Sequence, residues 1–170
     1  MNRLIHVPHG IEDIYDTYGD PDKDGDWDLD PGWYRQNTAV FTLPYPLRLS
    51  WNFSRSVRRL RFHVLVGPAI VDALSEIASK HSYEKLKAND WDILGGAYHF
   101  RKMVAYPALS THSWGIAIDL NNHVAGWGKD PKTQPDFIVA AFRVRGFDWG
   151  GDWPPKYTSD PMHFQAATGY

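Results

Sequence analysis

Two short stretches, residues 110–119 (Ser-Thr-His-Ser-Trp-Gly-Ile-Ala-Ile-Asp) and 160–165 (Asp-Pro-Met-His-Phe-Gln), constrain this chain more than anything else in it. The chemistry they carry exists only in a fold that brings them together. Between them they hold two imidazoles, His112 and His163, one carboxylate in ligand spacing, Asp119, and one spare acid, Asp160. A catalytic zinc ion commonly takes three nitrogen or oxygen ligands from the protein and keeps its fourth position for water, whereas a structural zinc closes with four, mostly cysteines. The chain has no cysteine, so a closed thiolate site is excluded.

The local pattern explains how the residues converge. Read as a strand, residues 115–120 put Gly115, Ala117 and Asp119 on one face and Ile116, Ile118 and Leu120 on the other, which enters the core. The two neighbours on Asp119's face are the smallest available and leave room beside the carboxylate for a metal and a substrate backbone. His112 folds over the start of this strand through the turn at 113–115. In the second stretch His163 and Gln165 share a face opposite Met162 and Phe164. Asp160 lies three residues earlier, and Pro161 after it favours an extended backbone there. Asp160 can therefore approach a metal's water without being a ligand. Taken singly, each His or Asp is ordinarily a hydrogen-bonded surface or core residue; the spacing, the small-residue face and the second motif together point to a site.

These residues resemble the zinc D-alanyl-D-alanine carboxypeptidases and the phage L-alanyl-D-glutamate endolysins, a superfamily that also contains the hedgehog signalling domain. The signature Ser-x-His-x-x-Gly-x-Ala-x-Asp is matched in full by Ser110, His112, Gly115, Ala117 and Asp119, and Asp-x-x-His by Asp160 and His163. The likeness covers roughly residues 60–166, because 95–101 (Gly-Gly-Ala-Tyr-His-Phe-Arg) and 147–153 (Phe-Asp-Trp-Gly-Gly-Asp-Trp) look like the flanking elements of the phage-type members. It implies that His112, Asp119 and His163 are Zn2+ ligands, that Asp160 is the catalytic acid/base and that Arg101 faces the developing oxyanion. Zinc lowers the pKa of its water to about 7 and polarises a carbonyl; Asp160 would accept the water's proton and hand it to the leaving amine. Substrate contacts are expected from Ser110, Trp114 and Trp153. Ser110 has two readings, a hydrogen bond to substrate or behind the ligands, and a plain turn hydroxyl. Trp114 lies inside the motif and Trp149 and Trp153 approach it from the C-terminal side, so one or two of them are expected to wall the cleft.

The resemblance implies an α+β fold of the hedgehog/DD-peptidase type, mostly antiparallel sheet with helices packed on it. Within 1–170, read as one zinc peptidase domain, residues 57–166 form the catalytic core and 1–56 an irregular N-terminal wrap. At 170 residues, 43% hydrophobic and 22% charged, the composition is that of a globular domain able to bury a core. A strand is expected at 57–66. A helix opens at Gly67-Pro68 with Ile70, Val71, Leu74, Ile77 and Ala78 as its apolar stripe, and a second runs over 135–145, with Phe137, Ile138, Ala141 and Phe142 inward and Gly146 as its stop. The first 50 residues carry many breakers, with Pro44 and Pro46 interrupting any longer element, and loops and short strands are expected there.

Net charge of −2 makes no electrostatic case for nucleic acid or a membrane surface. Residues 1–30 lack a basic start followed by an apolar run, and no stretch reaches the ~20 apolar residues that span a bilayer. The chain is expected to have no signal peptide, to be made in a host cytoplasm, to reach the cell wall by release and to work as a monomer. The acidic run at 20–30 begins like a calcium loop, Asp-x-Asp-x-Asp-Gly, but Pro31 stands at the closing position and no helix pattern precedes it, which favours a solvated acidic loop. Arg55, Arg58, Arg59 and Arg61 form a basic cluster that either attracts an anionic polymer such as peptidoglycan or, more blandly, pairs with that loop.

The leading expectation is a zinc metallopeptidase cutting an amide in the peptide stem of bacterial peptidoglycan, as a phage endolysin. The alternatives are a D,D-carboxypeptidase releasing D-alanine and a zinc-holding binding protein of the same fold without hydrolysis. Asp160 and Arg101 argue against the last, since neither is needed merely to hold zinc.

Overall fold

A computed structural model describes residues 4–103, 107–153 and 159–170. Its centre is a six-stranded sheet of order β2-β1-β3-β4-β6-β5, built from β1 (Thr38–Leu49), β2 (Asn52–His63), β3 (Ile93–Gly96), β4 (Ala117–Leu120), β5 (Asp148–Trp149) and β6 (His163–Gln165). Every pairing is antiparallel except β1 with β3. The expected α+β architecture with a mostly antiparallel sheet is what the chain forms. The three short strands β3, β4 and β6 sit side by side, and β4 and β6 carry Asp119 and His163.

Helix α3 (Gly67–Lys80) has Pro68 in its first turn, where a missing N–H costs nothing. Ile70, Leu74 and Ile77 are buried, with Ala69 and Ala73 beside them, while Val71 and Ala78 flank the core half-buried. Two short helices, α4 (Tyr83–Ala88) and α5 (Asn122–Ala125), follow in the chain, and α3 packs on β1 and on α6 (Asp136–Arg143). In α6 the buried residues are Ile138, Val139, Ala141 and Phe142; Phe137 lies against His81 and Trp91. Gly146 follows the helix at φ +93°. Phe142 stacks on Phe164 of β6 at 4.5 Å, so this helix backs the strand that carries His163.

The N-terminal third is more regular than its breakers suggest. Helices α1 (Gly10–Tyr18) and α2 (Pro31–Asn37) and the 12-residue strand β1 replace the expected loops and short strands. Asp30 caps α2 by accepting from the N–H groups of Gly32 and Trp33, with Pro31 in the first turn. Strand β1 runs through Pro44 and Pro46 because its register with β2 shifts between Thr42 and Leu47, which frees the ladder from needing proline N–H groups. The carbonyls freed from the ladder are used instead: Arg58 Nε donates to Leu43 O at 3.2 Å and its Nη2 to Pro44 O at 2.9 Å. Arg61 donates to Thr38 Oγ1 and lies over the Tyr34 ring. Among the described residues none of the four arginines pairs with the acidic loop, contrary to the bland reading of that cluster. Strand β2 also begins five residues before the expected 57 and ends at His63, the chain turning directly into α3.

Candidate metal centre

The first motif is shaped by one tight turn. Ser110 Oγ accepts from the His112 N–H at 3.4 Å and starts a single 3-10 turn, Thr111–Trp114. Gly115 ends it at φ +71°, its N–H returning to His112 O at 3.0 Å, so β4 begins at Ala117 rather than at 115. In β4, Asp119 stands opposite His163 of β6 on one side and opposite Gly96 of β3 on the other, while Ala117 stands opposite Gln165. Directly paired antiparallel residues bring their Cβ atoms within about 5.5 Å. Strand register thus brings Asp119 and His163 together, and the 3-10 turn folds His112 onto them.

The geometry is that of a three-ligand group. His112 Nε2 lies 3.1 Å from Asp119 Oδ2, and His163 Nδ1 lies 2.8 Å from Asp119 Oδ1. One ligand atom from each of the three falls within 4.8 Å of the others, and all three residues are buried. His112 Nδ1 is 2.7 Å from Ala97 O, a carbonyl that can only accept, so that nitrogen carries a hydrogen and Nε2 is the ring nitrogen left to face Asp119 and a metal. Gly96 makes the space: a Cβ there would sit 2.9 Å from Asp119 Oδ2 and 3.7 Å from His112 Cε1. Two nitrogens and one oxygen, without sulfur, are a donor set that zinc accepts with a coordination position left open.

The charged groups of the site act strongly on one another. Burial alone would raise the Asp119 carboxyl, but the charges and hydrogen bonds of His112 and His163 outweigh it and hold the group far below the usual carboxylate range. His163 is displaced upward: burial opposes its charge, and the Asp119 hydrogen bond and the charges of Asp119 and Asp160 overcome that. Asp160 is pushed up to about 6, chiefly by burial, with Asp119 adding and His163, His112 and Arg101 opposing. Its Oδ1 is buried without a hydrogen-bond partner among the described residues, an acceptor open to water or a substrate group.

Asp160 is held by its backbone. Its N–H donates to Gly150 O and its carbonyl accepts from the His163 N–H, both at 2.9 Å. The following carbonyl, Pro161 O, accepts from Trp149 Nε1 at 2.7 Å and from Gln134 Nε2 at 3.1 Å. Gln134 also donates to Leu120 O, and its own oxygen accepts from Asn121 Nδ2 at 2.8 Å. This buried amide pair ties the Asp160 loop to the end of the Asp119 strand. Sequence reasoning missed it, since a single Gln after a 3-10 turn carries no pattern.

Arg101 is half-buried next to the group, its charge acting on Asp160 and its Nη1 donating to Lys102 O at 3.3 Å. Ser113 clasps that segment, accepting from the Arg101 N–H and donating to Arg101 O, each at 2.9 Å. Trp153 is half-buried with its ring 5.5 Å from that of His163, and donates to Asp148 Oδ2 at 2.8 Å. Two expected substrate residues have other work. Trp114 has no exposed surface; the 3-10 turn drives it into the core between Tyr15 and Tyr170, with Nε1 donating to Gly19 O at 2.8 Å. Ser110 is buried as the cap of that turn, and Trp149 is a core ring beside Phe164.

A second carboxylate group, Asp22, Asp24 and Asp26, lies in the loop after α1, so a helix does precede the acidic run. Asp24 and Asp26 are exposed, and Asp20, Asp22 and Asp26 each accept a backbone N–H of their own loop.

Residues 105–166 match the model of a family described as D-alanyl-D-alanine carboxypeptidase. The matched segment contains His112, Asp119, Asp160 and His163, and supports a peptidase that acts on peptidoglycan in general. No curated protein and no solved structure matches the chain.

Proposed function

We propose that this chain is a zinc-dependent peptidase that hydrolyses an amide bond in the peptide stem of bacterial peptidoglycan, as an endopeptidase of the phage L-alanyl-D-glutamate type. The observation that carries the reading is the convergence of His112, Asp119 and His163 beside a buried carboxylate, Asp160, whose Oδ1 has no partner among the described residues. Zinc held by the three ligands would supply a Lewis acid and make water acidic enough, at a pKa of about 7, to act near neutrality.

The chain's own groups do the rest. Asp160 takes the proton of the attacking water as the carbon–oxygen bond forms and delivers it to the departing amine as the carbon–nitrogen bond breaks. A carboxyl poised near 6 can both accept and donate at neutral pH. Arg101 offsets negative charge developing on the carbonyl oxygen. Trp153 forms a wall of the cleft beside His163. No described helix is long and apolar enough to cross a membrane, and the proposed place of action is the cell wall.

The description of the matching family favours one second reading, a carboxypeptidase that releases terminal D-alanine. Digestion of purified peptidoglycan with zinc-loaded and chelator-treated protein, followed by mass spectrometry of the new termini, tests both. New L-alanine and D-glutamate termini that need the metal support the endopeptidase, free D-alanine supports the carboxypeptidase, and no cleavage of any peptidoglycan type refutes a peptidase.

A further inference from the structure

We propose that Gln165 is a positioning residue of the metal centre: its side-chain oxygen keeps the hydrogen of His163 on Nε2 and so leaves Nδ1 bare for the metal. The inference rests on the zinc reading above.

The oxygen and nitrogen of the Gln165 amide are told apart by their neighbours. Its Nε2 lies 3.0 Å from Ala167 O, which can only accept, so the NH2 group faces that carbonyl. The oxygen is then the atom facing His163, 3.0 Å from its Nε2. An amide oxygen only accepts, so His163 Nε2 must bear the hydrogen. Thr111 Oγ1 lies 3.3 Å from the same nitrogen, but a hydroxyl can donate or accept and imposes no choice. With Nε2 carrying its hydrogen to Gln165, Nδ1, 2.8 Å from Asp119 Oδ1, is the nitrogen left to give up its proton and take a metal shared with that carboxylate. Gln165 cannot drift from this duty. It is 2% exposed, and its backbone is paired with Ala117 on one side and Asp148 on the other.

The two imidazoles thus present opposite nitrogens to Asp119. A backbone carbonyl, Ala97 O, sets His112 to expose Nε2, and a side chain sets His163 to expose Nδ1. Only the second setting can be removed by substitution.

The test measures Zn2+ affinity of the full chain by competition with a chromophoric chelator, for wild type, Gln165→Met and Gln165→Glu. Loss of such an outer partner typically weakens metal binding about 10–100-fold, and that loss is expected of Gln165→Met, which has similar length but only a weak thioether acceptor. Gln165→Glu keeps an acceptor for His163 Nε2 and should hold zinc at least as tightly as wild type. Both substitutions lose the donation to Ala167 O, so a merely structural tie predicts that they weaken together, and that result overturns the proposal. So does unchanged affinity in Gln165→Met, with wild type binding zinc, which leaves the zinc reading intact. A wild type that takes up no zinc sinks both. Should Gln165→Met not fold, nitrogen NMR of the zinc-loaded wild type decides: metal on His163 Nδ1 with hydrogen on Nε2 supports the assignment, and metal on Nε2 overturns it.

Discussion

Gly115→Ala is expected to cost this protein more than any ordinary glycine substitution, and its two causes can be separated. Gly115 sits at φ +71°, where an L-residue with a Cβ costs about 1–2 kcal/mol. A Cβ there would also stand 2.8 Å from the His63 backbone nitrogen and 3.2 Å from Phe62 Cα and C. Those are backbone atoms that cannot rotate away, and the His63 N–H is itself bonded to Gly115 O at 2.9 Å. Overpacking of this kind adds about 1–3 kcal/mol. Gly128 supplies the control: its φ is +74° and a Cβ would meet nothing within 4 Å, so Gly128→Ala carries the conformational cost alone. Thermal unfolding of the metal-free variants, followed by circular dichroism, should place Gly115→Ala below Gly128→Ala by about 1–3 kcal/mol. For a chain of this size that is roughly 2–12 °C in Tm. Because Gly115 joins the turn of His112 to the strand of Asp119, Gly115→Ala should also bind zinc more weakly. Equal melting of the two variants refutes the contact argument.

The Gly115 contact also shows why some of this molecule was legible in its sequence and some was not. Alternation is a local rule, so Asp119 with Ala117 and His163 with Gln165 could be assigned to shared faces before any fold was known, and register then joined them across β4 and β6. Trp114 lies inside the same motif, yet nothing local says that a 3-10 turn sends its ring inward to Gly19; that depends on α1, nearly a hundred residues away in sequence. The N-terminal third reads as loops for a similar reason. Prolines at 44 and 46 break an isolated strand, and only pairing with β2 reveals the shifted register that tolerates them. Asp30-Pro31 was a readable helix start, since an Asp cap followed by Pro is a local signal, and the breaker-rich surroundings masked it. Gln134 lies at the other extreme, because its three partners come from Leu120, Asn121 and Pro161, and only the folded chain assembles them.

Asp160→Asn should keep zinc at one per chain while peptidoglycan hydrolysis falls by about 10²–10⁴, the usual share of general acid–base catalysis; metal analysis beside a turnover assay checks it, and an active variant removes Asp160 from the proton path. Arg101→Ala should lower kcat by about 10²–10³ with little change in zinc affinity, since its proposed contact forms as charge develops on the carbonyl oxygen. Arg101→Lys should recover part of the rate, and a wild-type rate in Arg101→Ala makes the residue structural. The last prediction concerns His63, far from any reacting bond. Burial lowers its pKa to about 4, against a smaller upward pull from its hydrogen bond to Tyr18 O, so it is neutral when folded. An unfolded chain protonates the same ring near 6.5. The unfolded state therefore binds more protons between these values, and stability is whole above pH 6.5, falls as pH drops toward 4, and loses nothing further from this group below that. The loss is about 3 kcal/mol across the window. Denaturant unfolding of the metal-free protein at pH 7, 5.5 and 4 should show that decline, and His63→Gln, which can still donate to Tyr18 O, should show a slope shallower by that amount. Identical slopes would mean that the folded protein already admits a charged His63.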